Sequence, residues 1–309
     1  MALEAAERAG AEQHPALAAE ALLHAGWLQA YRGLDVEAAA LLTRSVATGR
    51  SCGATALEAE ALSRLGYVHI GLADRIKARA CIEQACTLAL QHPADLDLQR
   101  LVVANLAEIE RLEDHPEIAR PLYELSLRHG RSKGDRLATM IALNNLAMCA
   151  VAAEQAQQAH ATLVESLTIC DELGSRRGRL VVMEVCAASA AELEQWAQAA
   201  RFSGAAEFHT TLMGRRRDVV DIAFLAPRLA LARAALGDAG YAQLMADGAV
   251  LSYEQSVLEM RVWLEVPASD RRPGARQAPS LKESVAPVDR EFRRPFSLPY
   301  PPGTAPDTD

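Results

Sequence analysis

The chain has 309 residues, half of them apolar and only 5% aromatic, with a net charge of −8 at neutral pH. That length allows two ordinary domains or one long repeat array, and the acidic balance argues against attraction of the whole molecule to nucleic acid or anionic lipid. Ala and Leu dominate while β-branched residues are sparse, so an all-α chain is expected, because Ala and Leu lose little freedom in a helix.

Taken from the start, MALEAAERAGAEQHPALAAEALLHAG is acidic and amphipathic. It has neither the basic start nor the apolar core of a secretory signal. Later apolar runs are too short to span a bilayer. A cytoplasmic location without a membrane partner is the expectation, with residues 1–13 as a helical lead-in.

An internal repeat follows. Aligning LLHAGWLQAYRGLDVEAAALLTRSV with LSRLGYVHIGLADRIKARACIEQAC places Gly26 over Gly66, Trp27 over Tyr67, Ala38 over Ala78 and Leu42 over Ile82, each pair forty residues apart. After one inserted residue, Ala107, Ala119 and Tyr123 take those places, then Ala147, Ala159 and Leu163. A weaker fifth copy has Ala187, Ala199 and Ser203. Five units therefore cover residues 14–215, each predicted as two helices with apolar spacing at i, i+3, i+4 and i+7 and a short polar turn between them. One unit cannot bury its apolar stripe alone, so stacking into a solenoid is expected.

Glycine-and-base loops at Thr48-Gly49-Arg50, Gly130 to Asp135 and Leu173 to Arg176 fall between units. They read as punctuation, with Gly at a helix C-cap and Asp135 or Ser175 at the next N-cap. A phosphate-binding loop would need GxxxxGK[ST] after a buried strand, and neither is present in the sequence. Residues 216–266 read as helices capping the last repeat, and 267–309, rich in Pro and Arg, as a disordered tail.

Catalytic constellations are not found. The six cysteines lack CxxC spacing and mostly lie in apolar helical runs, where Cys acts as a small hydrophobe. The eight histidines form no HExxH motif, and GxSxG is missing. No cofactor, no metal and no enzymatic activity are expected. Basic clusters at Arg176, Arg177 and Arg179 and at Arg215, Arg216 and Arg217 read as solvated turns, since the aromatic interleaving that stacks nucleic acid bases is absent.

The small residue at Gly26, Gly66, Ala107 and Ala147, the Ala twelve further on and the large apolar residue four after that resemble the tetratricopeptide repeat, lengthened to about forty residues. The resemblance implies a right-handed helical-hairpin solenoid whose first helices line a concave groove that binds a protein or peptide. The binding residues it implies are Trp27, Tyr31, Tyr67, Glu108, Arg111, Asn144, Met148 and Glu184. The wording from Gly134 through AARFSGAAEFHTTLMG to GYAQLMADGAVLSYEQSV is further similar to the repeat region of LuxR-type and AfsR-type transcription regulators and related NB-ARC or AAA-like ATPases. Its most specific residues are Phe202, Gly204, Ala205, Ala206, Leu236, Gly237, Tyr241, Gly248, Leu251 and Ser252. This implies a scaffold in bacterial signalling or transcription control, or alternatively the sensor part of an ATP-dependent regulator. No Walker motif is present to carry ATP hydrolysis, and direct nucleic acid binding is not expected.

Overall fold

The computed structural model describes residues 14–215, 217 and 219–266. The proposed lead-in 1–13, Arg216 and the tail 267–309 lie outside the described residues. Among those described there are twelve helices and no strand. Ten of them form five hairpins: α1 (Pro15–Tyr31) with α2 (Asp35–Ser51), α3 (Thr55–Gly71) with α4 (Arg75–Ala89), α5 (Leu96–Leu112) with α6 (Pro116–Ser132), α7 (Arg136–Ala152) with α8 (Ala156–Glu172), and α9 (Arg176–Glu192) with α10 (Trp196–Leu212). Helix starts recur every twenty residues, with one extra residue before Leu96. The chain is the all-α helical-hairpin solenoid expected from its sequence.

The small-residue grid explains the pairing. A Cβ on Gly26 would lie 2.8 Å from the Leu42 side chain, and one on Gly66 would lie 2.5 Å from that of Ile82. Each glycine thus lets the second helix press its large apolar residue against the first helix backbone. In the next two units Ala107 and Ala147 hold that place fully buried, above Tyr123 and Leu163, which are also fully buried. Such packing follows the close density of protein interiors, where one added carbon is felt.

Between units, the chain turns through the left-handed region at Gly53 (φ 71°), Gly134 (φ 67°), Gly174 (φ 60°) and Gly214 (φ 66°). Glycine adopts this conformation without Cβ strain. The Asp135 and Ser175 side chains then accept hydrogen bonds from the backbone N–H groups of Ala138 (2.9 Å) and Gly178 (3.0 Å), capping α7 and α9. The expected turn position needs one correction: Gly49 and Gly130 sit inside α2 and α6. The smallness of Gly130 serves close approach instead, since a Cβ there would lie 3.1 Å from the Thr139 backbone nitrogen of α7.

Two large apolar cores run through the stack, beside a small cluster of Ala190, Ala191, Ala199 and Ala232. The first three hairpins share one, containing Leu42, Ile82 and Tyr123. The last two share another, containing Leu163, Met183 and Phe202. After the repeats come α11 (Val219–Ala249) and α12 (Tyr253–Glu265). Gly237 (φ 71°, ψ 160°) bends α11 into two segments. Val220 of its first segment joins the first core and Leu225 the second, so this segment bridges both.

α12 packs on α9 and α10, with the Trp263 ring edge-on to Phe202 at 5.7 Å. Arg261 of α12 donates to Asp171 of α8 (2.6 Å), which also accepts from Arg179. Arg201 and Gln198 of α10 donate to Glu259 of α12. Burial raises the Asp171 pKa, but the hydrogen bonds from Arg261 and Arg179 outweigh it and leave the carboxyl below its ordinary value. The hydrogen bond from Arg201 holds Glu259 low as well. Folded pKa values below the unfolded ones mean stabilisation that is present above the unfolded values and lost as pH falls through the folded ones. In a Trp27→Phe/Trp196→Phe background, Trp263 fluorescence should stay constant from neutral pH to about 5 and change below about 4. A transition above pH about 6 would contradict this assignment.

Candidate functional site

The first helices α1, α3, α5, α7 and α9 supply one side of the array. Tyr31 at the end of α1 meets residues of the fifth unit there: the Arg215 guanidinium stands 4.3 Å above its ring and that of Arg177 5.9 Å away. The first and fifth units therefore come within side-chain reach, which requires the first-helix side to be concave. Arg215 donates to the Tyr31 hydroxyl at 3.0 Å. That bond, joined by the charges of Arg215 and Arg177, draws the phenol below its ordinary pKa against the effect of burial.

On this side Trp27 and Tyr67, from successive units, meet edge to face at 5.8 Å. The Arg64 guanidinium lies 4.6 Å over the Trp27 ring while also pairing with Glu60. Both aromatic rings are half-buried, and Tyr31 is 56% exposed. This is the part of the expected site that a partner could reach without rearrangement.

Further along, Arg111 is the centre of an enclosed polar cluster. Its side chain is only 7% exposed. It donates to Glu108 (2.8 Å), to Asp221 of α11 (3.0 Å) and to the Tyr123 hydroxyl (3.3 Å), and it lies 3.1 Å from the Met148 sulfur. Glu108 also accepts from Asn145. Burial opposes the Arg111 charge, but the Glu108 carboxylate, Tyr123 and Asp221 overcome it and push the pKa well above the ordinary guanidinium value. Burial also drives the Tyr123 hydroxyl well above its usual value, so Tyr123 serves this cluster as a neutral acceptor.

The remaining expected residues separate. Met148 is 1% exposed and Asn144 4%. Asn144 turns away from Arg111 and accepts from Ser166 of α8 at 2.6 Å. Glu184 pairs with Arg217 at 2.6 Å, and Arg217 also donates to the Ser203 carbonyl. Glu192 pairs with Arg228 of α11 at 2.8 Å. The structure thus joins Glu108, Arg111 and Met148, pairs Trp27 with Tyr67, and leaves Tyr31, Asn144 and Glu184 in separate settings. Arg111, Met148 and Glu184 are covered by the chain itself.

The sequence reading missed Asp221 and Arg228 and took Arg215 and Arg217 for solvated turn residues. Arg215 and Arg217 instead tie the end of the array to its first-helix side. Arg176 and Arg179 are likewise engaged, the first 4.2 Å over the Tyr253 ring and the second bonded to Asp171. One signal for these contacts was available: Gly214 follows Gly134 and Gly174 in the forty-residue register, so another first helix was due after it.

α11 packs against α9, α5 and α3, all first helices, as well as against α10. A cleft between it and the fifth unit, lined by residues including Arg177, Val181, Glu184 and Arg215, holds about 30 Å³. That is room for water rather than for an organic ligand. On another part of the array, Glu110, Glu113 and His115 bring their polar atoms within 4.8 Å of one another. Arg79 donates to both carboxylates, at 3.0 Å and 2.7 Å, which makes this an ion-pair network between the second and third units.

Comparison with known proteins agrees with the helix geometry. No curated protein matches the chain. The tetratricopeptide repeat family model matches residues 99–172, which span most of α5 and all of α6, α7 and α8. The chain therefore contains a tetratricopeptide-repeat region, set within a solenoid of five helical hairpins.

Proposed function

We propose that the protein is a non-enzymatic cytoplasmic scaffold that binds a protein or peptide partner on its concave first-helix side, within a bacterial signalling or transcription-control system. Trp27, Tyr31 and Tyr67 form the accessible end of that site. Glu108, Arg111, Asn144, Met148 and Glu184 form its deeper part. The observation carrying this reading is the contact between Trp27 and Tyr67, two large half-buried rings that share one face and sit forty residues apart in the repeat. Rigid aromatic anchors of this kind dominate the energetics of protein interfaces. The tetratricopeptide-repeat region supports the scaffold role, and the bacterial regulatory setting rests on the sequence resemblance described above.

A peptide selected from a displayed random library on the full chain provides the test. Its dissociation constant should rise by about tenfold or more in the Trp27→Ala/Tyr67→Ala chain, with helicity by circular dichroism retained. Unchanged binding of every selected peptide would place the partner elsewhere.

A further inference from the structure

The first segment of α11 stands where the first helix of a sixth unit would, following Gly214 in the repeat register. It lacks the embedding of the other first helices. Four of its residues are buried (Val220, Leu225, Arg228 and Ala232), against twelve in the shorter α9. Among the described residues no second helix covers its outer side, because the chain bends at Gly237 and Gly248 of the second segment crosses α10 instead. Ile222 and Leu231 consequently remain 46% and 37% exposed. Pro227 removes one backbone hydrogen bond from its interior.

Buried Val220, Leu225 and Ala232 and three ion pairs together hold this segment to the concave side. Arg217 meets Glu184 (2.6 Å), Asp221 meets Arg111 (3.0 Å) and Arg228 meets Glu192 (2.8 Å). Phe224 and Leu225 lie among these charges and pack on the second core. Burial lowers the Arg228 pKa and raises that of Glu192 despite their pairing. Desolvation therefore offsets much of this pair's attraction, as is common for buried ion pairs. Left-handed glycines, Gly214 and Gly237, flank the segment. Sparse burial, an internal proline and glycines at both ends mark the low-stability part of a fold, the part that opens first.

We propose that residues 217–232 act as an internal ligand of the concave side, and that the external partner is an amphipathic helix of the same pattern which binds by displacing them. The pattern is a cation, a carboxylate four residues later and a second cation seven beyond that, with an aromatic and an aliphatic residue between the last two charges. Glu184, Arg111 and Glu192 receive the three charges in turn. This inference rests on the first-helix side being the partner site, and it adds which helix that site accepts and what occupies it beforehand.

The probe is a fluorescein-labelled peptide of residues 217–236, RDVVDIAFLAPRLALARAAL, titrated into the full chain and read by anisotropy. The Asp221→Ala/Arg228→Ala chain keeps the receiving residues Arg111 and Glu192 but weakens its own segment. It should bind the peptide about tenfold or more tighter than the unaltered chain, because occupancy by the internal segment reduces apparent affinity in proportion. A peptide carrying the same two alanines should bind neither chain. Equal binding by both chains, or none, with helicity retained would overturn the proposal. Hydrogen exchange on the unaltered chain gives a second reading that needs no variant. Amides of 219–236 should exchange faster than those of α9 and α10, and equal protection of all three would also overturn it. The two proposals fail separately: if this peptide does not bind while library peptides depend on Trp27 and Tyr67, the scaffold reading stands without the internal ligand.

Discussion

Replacing Arg111 by alanine lowers the free energy of unfolding by about 3–5 kcal/mol, the usual cost of removing one partner from a buried ion pair. The size follows from what is left behind. Arg111 serves Glu108, Asp221 and Tyr123 at once from a nearly solvent-free position. Without it, two carboxylates lie side by side with no cation between them. Asp221→Ala removes less, because Arg111 keeps Glu108 and Tyr123. The double variant Arg111→Ala/Asp221→Ala should therefore cost less than the sum of the single ones, giving a coupling of about 1–3 kcal/mol in a double-mutant cycle. Urea unfolding followed by helical circular dichroism measures all three. A loss below about 1 kcal/mol for Arg111→Ala would mean that water reaches the cluster and screens it as at a surface.

The same cluster shows where sequence reading stops. The hairpins were legible because every unit buries the same stripe, so Gly26, Ala38 and Leu42 recur with little change. Depth within the first-helix side was harder to read. Asn144 precedes the packed Ala147 by three residues, which turns its side chain toward Ser166 of α8 rather than outward. Met148, one residue beyond Ala147, lies against Arg111. Helical spacing selected both as candidates, but only the neighbouring helices decide which way each faces. Asp221 is further from prediction, since it meets Arg111 across 110 residues. That meeting depends on curvature built from small rotations at each unit, and no local stretch encodes it. The register of Gly214 did announce another first helix. It did not announce that its companion would leave at Gly237 for a crossing with α10.

That crossing is the second place where a large loss is expected. A Cβ on Gly204 of α10 would lie 2.1 Å from the Met245 carbonyl oxygen, and one on Gly248 of α11 would lie 2.0 Å from that of Arg201. Both obstacles are backbone, so no side-chain rotation can relieve them and the helices must separate. Gly204→Ala or Gly248→Ala should each cost about 3 kcal/mol, at the upper end for inserting a carbon into a packed interface. Gly53→Ala is the control: nothing lies within 4 Å of its Cβ position and only the left-handed φ of 71° is strained, a cost of about 1 kcal/mol. Because repeat arrays transmit stability mainly between neighbours, the damage should stay at the C-terminal end. Limited trypsin digestion should cut at Arg233, which is already exposed, faster in the Gly204→Ala chain than in the unaltered one, while the fragment containing the first hairpins persists. Cleavage spread evenly through all five hairpins would contradict this local effect. The result bears on the sequence resemblance as well. Gly204, Gly237, Gly248 and Ser252 were among its most specific residues, and each has a backbone reason here: two close approaches, one left-handed bend and one capping box, in which Ser252 and Gln255 satisfy each other's backbone N–H groups. The motif thus specifies how the chain leaves the array, and the way it leaves decides whether residues 217–232 lie across the concave side.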